Sequence, residues 1–135
     1  MTRGAGKVAV IGAGNVGATC AFVLAQKNIG EVVMLDIYEG FAKGKALDMS
    51  QGGQILNYDG RITGTKDYAD IAGADVVVVT SGFPRMPGMT REDLVGKNAD
   101  IISQVGQGIK EHAPECVIVM AVSYTHLTLP TILLV

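Results

Sequence analysis

Short apolar runs alternate along this chain with longer stretches whose apolar residues recur every three or four positions. Lys7–Ile11 (KVAVI), Glu31–Asp36 (EVVMLD), Arg61–Thr65 (RITGT), Asp75–Thr80 (DVVVVT) and Cys116–Ala121 (CVIVMA) are runs of the first kind. Their length and β-branched content predict strands, those at Lys7–Ile11 and Asp75–Thr80 buried. Val16–Lys27 is of the second kind, with Val16, Cys20, Val23 and Leu24 at helical spacing and Gly30 placed to close the helix. A second helix is expected within Gly40–Tyr58, with Ala42, Ala46, Leu47 and Met49 available for its buried side. Tyr68–Gly73 predicts a brief helical turn. Asp93–His112 predicts a long helix with Leu94, Ile101, Ile102, Val105 and Ile109 on one face. Strands and helices alternate throughout, without internal repeat or low-complexity linker. That alternation implies parallel pairing with right-handed crossovers, an α/β doubly wound sheet. The expected strand order is 3-2-1-4-5.

Composition narrows the class. The chain has 135 residues, 48% of them apolar, which suits one domain with a packed core. A net charge of −2 and the absence of Trp give no footing for nucleic acid. The apolar runs are too short and too interrupted to span a membrane. The N-terminus (MTRGAGKVAVIGAG) lacks a long apolar segment followed by a small-residue cleavage site, so no signal peptide is expected. The two cysteines, Cys20 and Cys116, sit in apolar segments and read as reduced core residues of a cytoplasmic protein, with a disulfide as the alternative.

The first turn carries chemistry. Gly12-Ala13-Gly14-Asn15-Val16-Gly17 fits G-x-G-x-x-G, a weak motif alone. Here it lies between a strand and a helix, and an acid, Asp36, ends the next strand 19 residues beyond Gly17. In that context Gly12 permits a tight turn, Gly14 lets the backbone approach a pyrophosphate, and Gly17 allows close helix–strand packing. The helix N-terminus offers free N–H groups and partial positive charge to phosphates. A carboxylate at Asp36 accepts ribose hydroxyls and repels a 2′-phosphate, favouring NAD over NADP. The expected fold is thus a Rossmann-type sheet, incomplete for a six-stranded dinucleotide fold. Alternatives are an ordinary glycine turn with a strand-end Asp, or a methyltransferase binding a nucleoside.

A second constellation follows the fourth strand. Gly82–Asp93 reads GFPRMPGMTRED and places Arg85 and Arg91 six residues apart, flanking a Pro-Gly pair. Loops at strand ends are where open α/β sheets bind ligands. Guanidinium groups match carboxylate or phosphate two-point, so an anionic substrate is expected. A solvated surface loop is the plainer alternative.

These segments together resemble the N-terminal half of the malate dehydrogenase family, in the branch similar to lactate dehydrogenase. The resemblance covers Lys7 to Ala121. Its markers are VIGAGNVGAT, LDIYEG, GKALDM, TSGFPRMPGMTREDL and KNADI. It implies NAD as cofactor, malate and oxaloacetate as substrates, a homo-oligomer at full length and a place in the tricarboxylic acid cycle, with no metal. Residues Gly12 to Gly17 match the family's pyrophosphate loop and Asp36 its ribose acid. Arg85 matches the residue that pairs with the distal carboxylate of oxaloacetate; lactate enzymes place Gln there. Arg91 matches an arginine brought over the reacting carbonyl, where it stabilises developing negative charge. Asn98 matches an asparagine near the bound cofactor. Pro84, Pro87 and Gly88 fit a mobile lid.

The pattern then breaks. The family's Asp–His pair and a further arginine belong to a second half that this sequence lacks, so the chain reads as a fragment without its general acid/base; the alternatives are a non-catalytic nucleotide-binding Rossmann module or a lactate/2-hydroxy-acid dehydrogenase. His112 and His126 have no family context and are assigned no catalytic role. After the fifth strand the family has Asn-Pro, whereas this chain has Ser123-Tyr124. From Val122 it reads VSYTHLTLPTILLV, which resembles translated sequencing-adapter DNA. The expected organisation is an NAD-binding domain over 1–121 and a non-native tail over 122–135, with a divergent final strand as the alternative.

Overall fold

A computed structural model describes residues 6–121. The expectations for the segment 122–135, His126 included, lie outside the described residues. Five strands form one parallel sheet: β1 (Gly6–Ile11), β2 (Gly30–Leu35), β3 (Ile62–Thr65), β4 (Val76–Val79) and β5 (Val117–Met120). Their order is β3-β2-β1-β4-β5, as the alternation of elements predicts. Three α-helices join them: α1 (Asn15–Gln26), α2 (Glu39–Leu56) and α3 (Arg91–His112), with a 3₁₀ turn at Tyr68–Ile71.

Successive strand residues point to opposite faces, and the two faces carry separate cores. Val10, Val32, Met34 and Ile62 pack with Ala18 and Ala21 of α1 and Ala42 and Ala46 of α2. Ala9, Ile11, Val33, Leu35, Val77 and Val79 pack with Ile71 and with Val105 and Ile109 of α3. Helices therefore cover both sides of the central strands, whereas Val117–Met120 of β5 are exposed. Such burial explains why the central strands read as continuous apolar runs.

The structure corrects three details. Gly30 does not close α1; Asn28 supplies the left-handed residue after the helix (φ 48°), and Gly30 opens β2. Gly30 is needed for another reason: a Cβ there would stand 1.7 Å from the Gly6 carbonyl oxygen across the sheet. On α1, Val16 and Val23 are exposed, and the buried stripe is Gly17, Ala18, Ala21 and Ala25. Small residues let the helix approach the sheet closely, so the larger apolar ones fall to its flanks. On α2, Leu47 is 60% exposed, while Ala42, Ala46 and Gly53 are buried. Cys20 and Cys116 are free thiols, half-buried against opposite faces of the sheet. Burial pushes both thiols above their ordinary pKa, which lowers their thiolate fraction.

Candidate functional site

The crossovers after β1 and β2 place α1 and α2 on one face; the connection after β4 places α3 on the other. The carboxyl ends of β1 and β4, neighbours in the sheet, thus form the switch point at which ligands bind doubly wound folds. The glycine turn leaves β1 there, and the arginine loop leaves β4.

The three motif glycines have distinct geometric causes. Gly12 has φ 101°, and a Cβ on it would meet the Ser81 amide and Thr80 Oγ1 at 2.8 Å. At Gly17 a Cβ would lie 1.8 Å from the Gly12 carbonyl oxygen, so this glycine sets how closely α1 follows the turn. Gly14 differs: nothing lies within 4 Å of the Cβ position. Its bare backbone faces open space, as an approaching diphosphate requires. Gly14 caps α1 without any side-chain bond, and Asn15 and Val16 begin the helix with no acid in the first turn. The helix dipole and its free N–H groups at this end are therefore unopposed by a first-turn carboxylate.

Asp36 stands just past β2, half-buried. Its two oxygens accept backbone hydrogen bonds from Ala13 (2.7 Å) and Tyr38 (3.0 Å). Each oxygen keeps further acceptor capacity, so the carboxylate is fixed in place yet can take ribose hydroxyls. The next peptide of the turn is held too, where Lys45 Nζ donates to the Ala13 carbonyl at 2.7 Å. Sequence reasoning missed Lys45, because a lysine within an amphipathic helix carries no positional signal. It missed Thr80 as well, whose hydroxyl contacts the carbonyls of Ile11 (3.2 Å) and Gly12 (3.1 Å) and ties β4 to the glycine turn. Beside it, Ser81 Oγ is buried without a hydrogen-bond partner among the described residues.

The arginine loop is anchored at both ends and turns in the middle. Met89 N–H donates to the Met86 carbonyl at 3.1 Å across Pro87 and Gly88, the latter at φ 86°. Pro then Gly suits a type II turn, whose third residue needs positive φ. Thr90 and Asp93 form a reciprocal capping box at the start of α3. The Thr90 hydroxyl and amide, both donating to the Asp93 carboxylate, hold its pKa below the ordinary value. Arg85 and Arg91 are both exposed, and neither makes an ion pair among the described residues.

Asn98 is 2% exposed and turned inward. Its Oδ1 accepts from the Phe83 amide at 2.6 Å; its Nδ2 donates to the Leu94 carbonyl at 2.8 Å and the Phe83 carbonyl at 3.4 Å. An asparagine amide has the shape of a peptide unit, and here it pairs with the backbone two residues before Arg85. Asn98 thus fastens the root of the loop to α3. Among the described residues, no cluster of three or more His, Cys, Asp or Glu has the arrangement to hold a metal ion.

A glycine turn with an open central glycine, an uncompensated helix N-terminus and a fixed strand-end carboxylate fit a nicotinamide dinucleotide, and define the dinucleotide-binding class of α/β domain. Residues 6–123 match the family described as lactate/malate dehydrogenase, NAD binding domain. Among curated proteins, malate dehydrogenase of Bacteroides fragilis is 55% identical over 116 residues, covering 84% of this chain and 37% of that protein. Malate dehydrogenase of Ehrlichia canis is 50% identical over 114 residues, 84% of this chain and 36% of that protein. The apo malate dehydrogenase structure from Picrophilus torridus superimposes with a TM-score of 0.82 at 46% identity, covering 85% of this chain and 37% of that one. The chain belongs to the lactate/malate dehydrogenase family and contains its NAD-binding domain. It spans little more than a third of the length of the curated relatives it matches.

Proposed function

We propose that the protein from which this chain comes is an NAD-dependent malate dehydrogenase. The observation that carries this reading is Arg85, a guanidinium without an acidic partner among the described residues, on a loop rooted at the switch point. Bound NAD would accept the hydride from C2 of malate, giving oxaloacetate and NADH as the hydroxyl proton is released. Residues Gly12 to Gly17 with the start of α1 would hold the diphosphate, and Asp36 the adenosine ribose. Arg85 would pair with the distal carboxylate that malate has and lactate lacks. Arg91, at the start of α3, would stand over the carbonyl oxygen and stabilise its developing charge. Pairing a guanidinium in a closed site also rejects substrates that leave it unpaired. The family's general acid/base would come from sequence outside these 135 residues.

The reading extends to a cytoplasmic, homo-oligomeric enzyme of the tricarboxylic acid cycle, with residues 122–135 foreign to it. No helix among the described residues is long and apolar enough to cross a membrane. The test is to extend the genomic locus with long reads, express the intact gene, and compare NAD-linked oxidation of malate and lactate. Malate should be strongly preferred; a preference for lactate would move the protein to the other branch. Recovery of the codons for 122–135 within the intact gene would sink the foreign tail.

A further inference from the structure

We propose that Lys45 is a further cofactor-binding residue, supplying the glycine turn with a fixed positive charge for the diphosphate of the dinucleotide. The inference rests on the NAD-binding reading of the turn and adds a residue to it. Three observations carry it. The Lys45 ammonium lies 2.7 Å from the carbonyl of Ala13, the residue between the two closely spaced glycines. It sits over the Phe41 ring, 4.2 Å from the centroid, one helical turn earlier on α2. A cation held between a carbonyl and an aromatic face has little freedom to leave. Lastly, it is half-buried and makes no ion pair among the described residues, whereas nearby Lys43 and Lys66 both pair with Glu39.

A lysine serving only solubility or helix stability would point to water or to a carboxylate on its own helix. This one crosses from α2 to the turn after β1 and brings its charge beside the backbone that must accept two phosphates. The described carboxylate tied to the same residue is Asp36, which accepts from the Ala13 N–H and faces the ribose role. The two peptides that flank the Ala13 Cα are thus gripped by an anion at the N–H of the first and a cation at the C=O of the second. That grip separates charge along the turn: negative toward the ribose hydroxyls, positive toward the diphosphate.

The test uses the full chain and titrates ADP-ribose and adenosine calorimetrically into the unmodified protein, Lys45→Met, Lys45→Gln and Lys45→Arg, at low and moderate salt. Lys45→Met should weaken ADP-ribose by about tenfold at low salt, and the difference should shrink as salt screens it. Lys45→Gln keeps a donor for the Ala13 carbonyl without charge and should fall with Lys45→Met. Lys45→Arg should retain binding. Adenosine, which lacks phosphate, should bind all four alike. ADP-ribose affinity unchanged in Lys45→Gln would overturn the charge role, and an equal loss for adenosine would reduce Lys45 to a structural latch. If the unmodified chain binds adenosine and ADP-ribose no better than a glycine-turn variant, Gly14→Val, the cofactor reading itself fails and the Lys45 role goes with it.

Discussion

Single side chains in this domain act mainly by gripping backbone. Asp36, Lys45, Thr80 and Asn98 each hold a peptide of a functional turn. Asp36→Ala should weaken NAD by about 1–3 kcal/mol, the range for losing hydrogen bonds to a charged acceptor. Titrating both cofactors checks this, and equal affinity of the unmodified domain for NAD and NADP would argue against Asp36 as the ribose ligand. Asn98→Leu should behave differently. It leaves the part-buried Phe83 amide without its partner, costing about 1 kcal/mol of stability, and loosens the loop with little change in NAD affinity. Hydrogen exchange at Phe83 set beside an NAD titration separates the two; a loss of NAD affinity with unchanged exchange would favour direct cofactor contact by Asn98. In the intact enzyme, Arg85→Gln should shift the kcat/KM ratio for oxaloacetate over pyruvate toward pyruvate, on the order of a hundredfold, since in the closed site the distal carboxylate of oxaloacetate would lose its partner. Arg91→Gln should damage both substrates alike, because both share the carbonyl. A ratio moved by Arg91→Gln and not by Arg85→Gln would reverse the two roles.

At the scale of elements, strand order and helix number were legible because short continuous apolar runs and stretches of helical period alternate cleanly along the chain. The buried sides of the helices were less so. Val16, Val23 and Leu47 attract attention as large apolar residues, yet alanines and glycines occupy the sheet-facing positions of α1 and α2. Close helix–sheet approach selects small side chains, which a search for large ones overlooks. Gly30 misled for a related reason: its cause is the neighbouring Gly6 carbonyl, which only strand register reveals. The glycine turn and Asp36 were visible from spacing, whereas Lys45 and Thr80 needed the folded packing of α2 and β4. The capping box of α3 yields a pH prediction. The carboxylate of Asp93 has its pKa lowered by the Thr90 bonds, so it favours the folded state when ionised. That contribution is fully present above the ordinary Asp value, about 4, and is lost as pH falls through the lowered folded value. Protection of the amides in the first turn of α3, taken relative to their intrinsic exchange at each pH, should therefore fall below about pH 4 in the unmodified domain. Asp93→Ala should exchange fast at neutral pH already. Equal rates for the two proteins at pH 7 would show that the cap does not hold this end of the helix.

The described domain joins the cofactor site to the loop proposed to form one side of a substrate site. The chemistry of the proposed reaction needs a group that takes a proton from the malate hydroxyl as hydride leaves C2. Among the described residues the one histidine is His112. Helix α3 starts at the switch point with Arg91 and runs away from it for 22 residues, a rise of about 33 Å at 1.5 Å each. His112 therefore lies at the opposite end of the sheet. Its ring nitrogen is 3.1 Å from the Gly108 carbonyl, and its ring packs near Tyr68. No described histidine reaches Arg85 or Arg91. The 135-residue chain should accordingly bind NAD and form no NADH from malate. The measurement is absorbance of NADH with malate, at NAD concentrations shown by titration to occupy the domain, in a preparation from a host lacking its own malate dehydrogenase. An Arg91→Gln control distinguishes residual contaminant from real turnover, since contaminant activity would not respond to it. NADH formation above background that disappears in Arg91→Gln would mean that the chain, alone or as a self-assembled oligomer, contains its own proton acceptor, and the division of labour assigned to the missing half would be wrong.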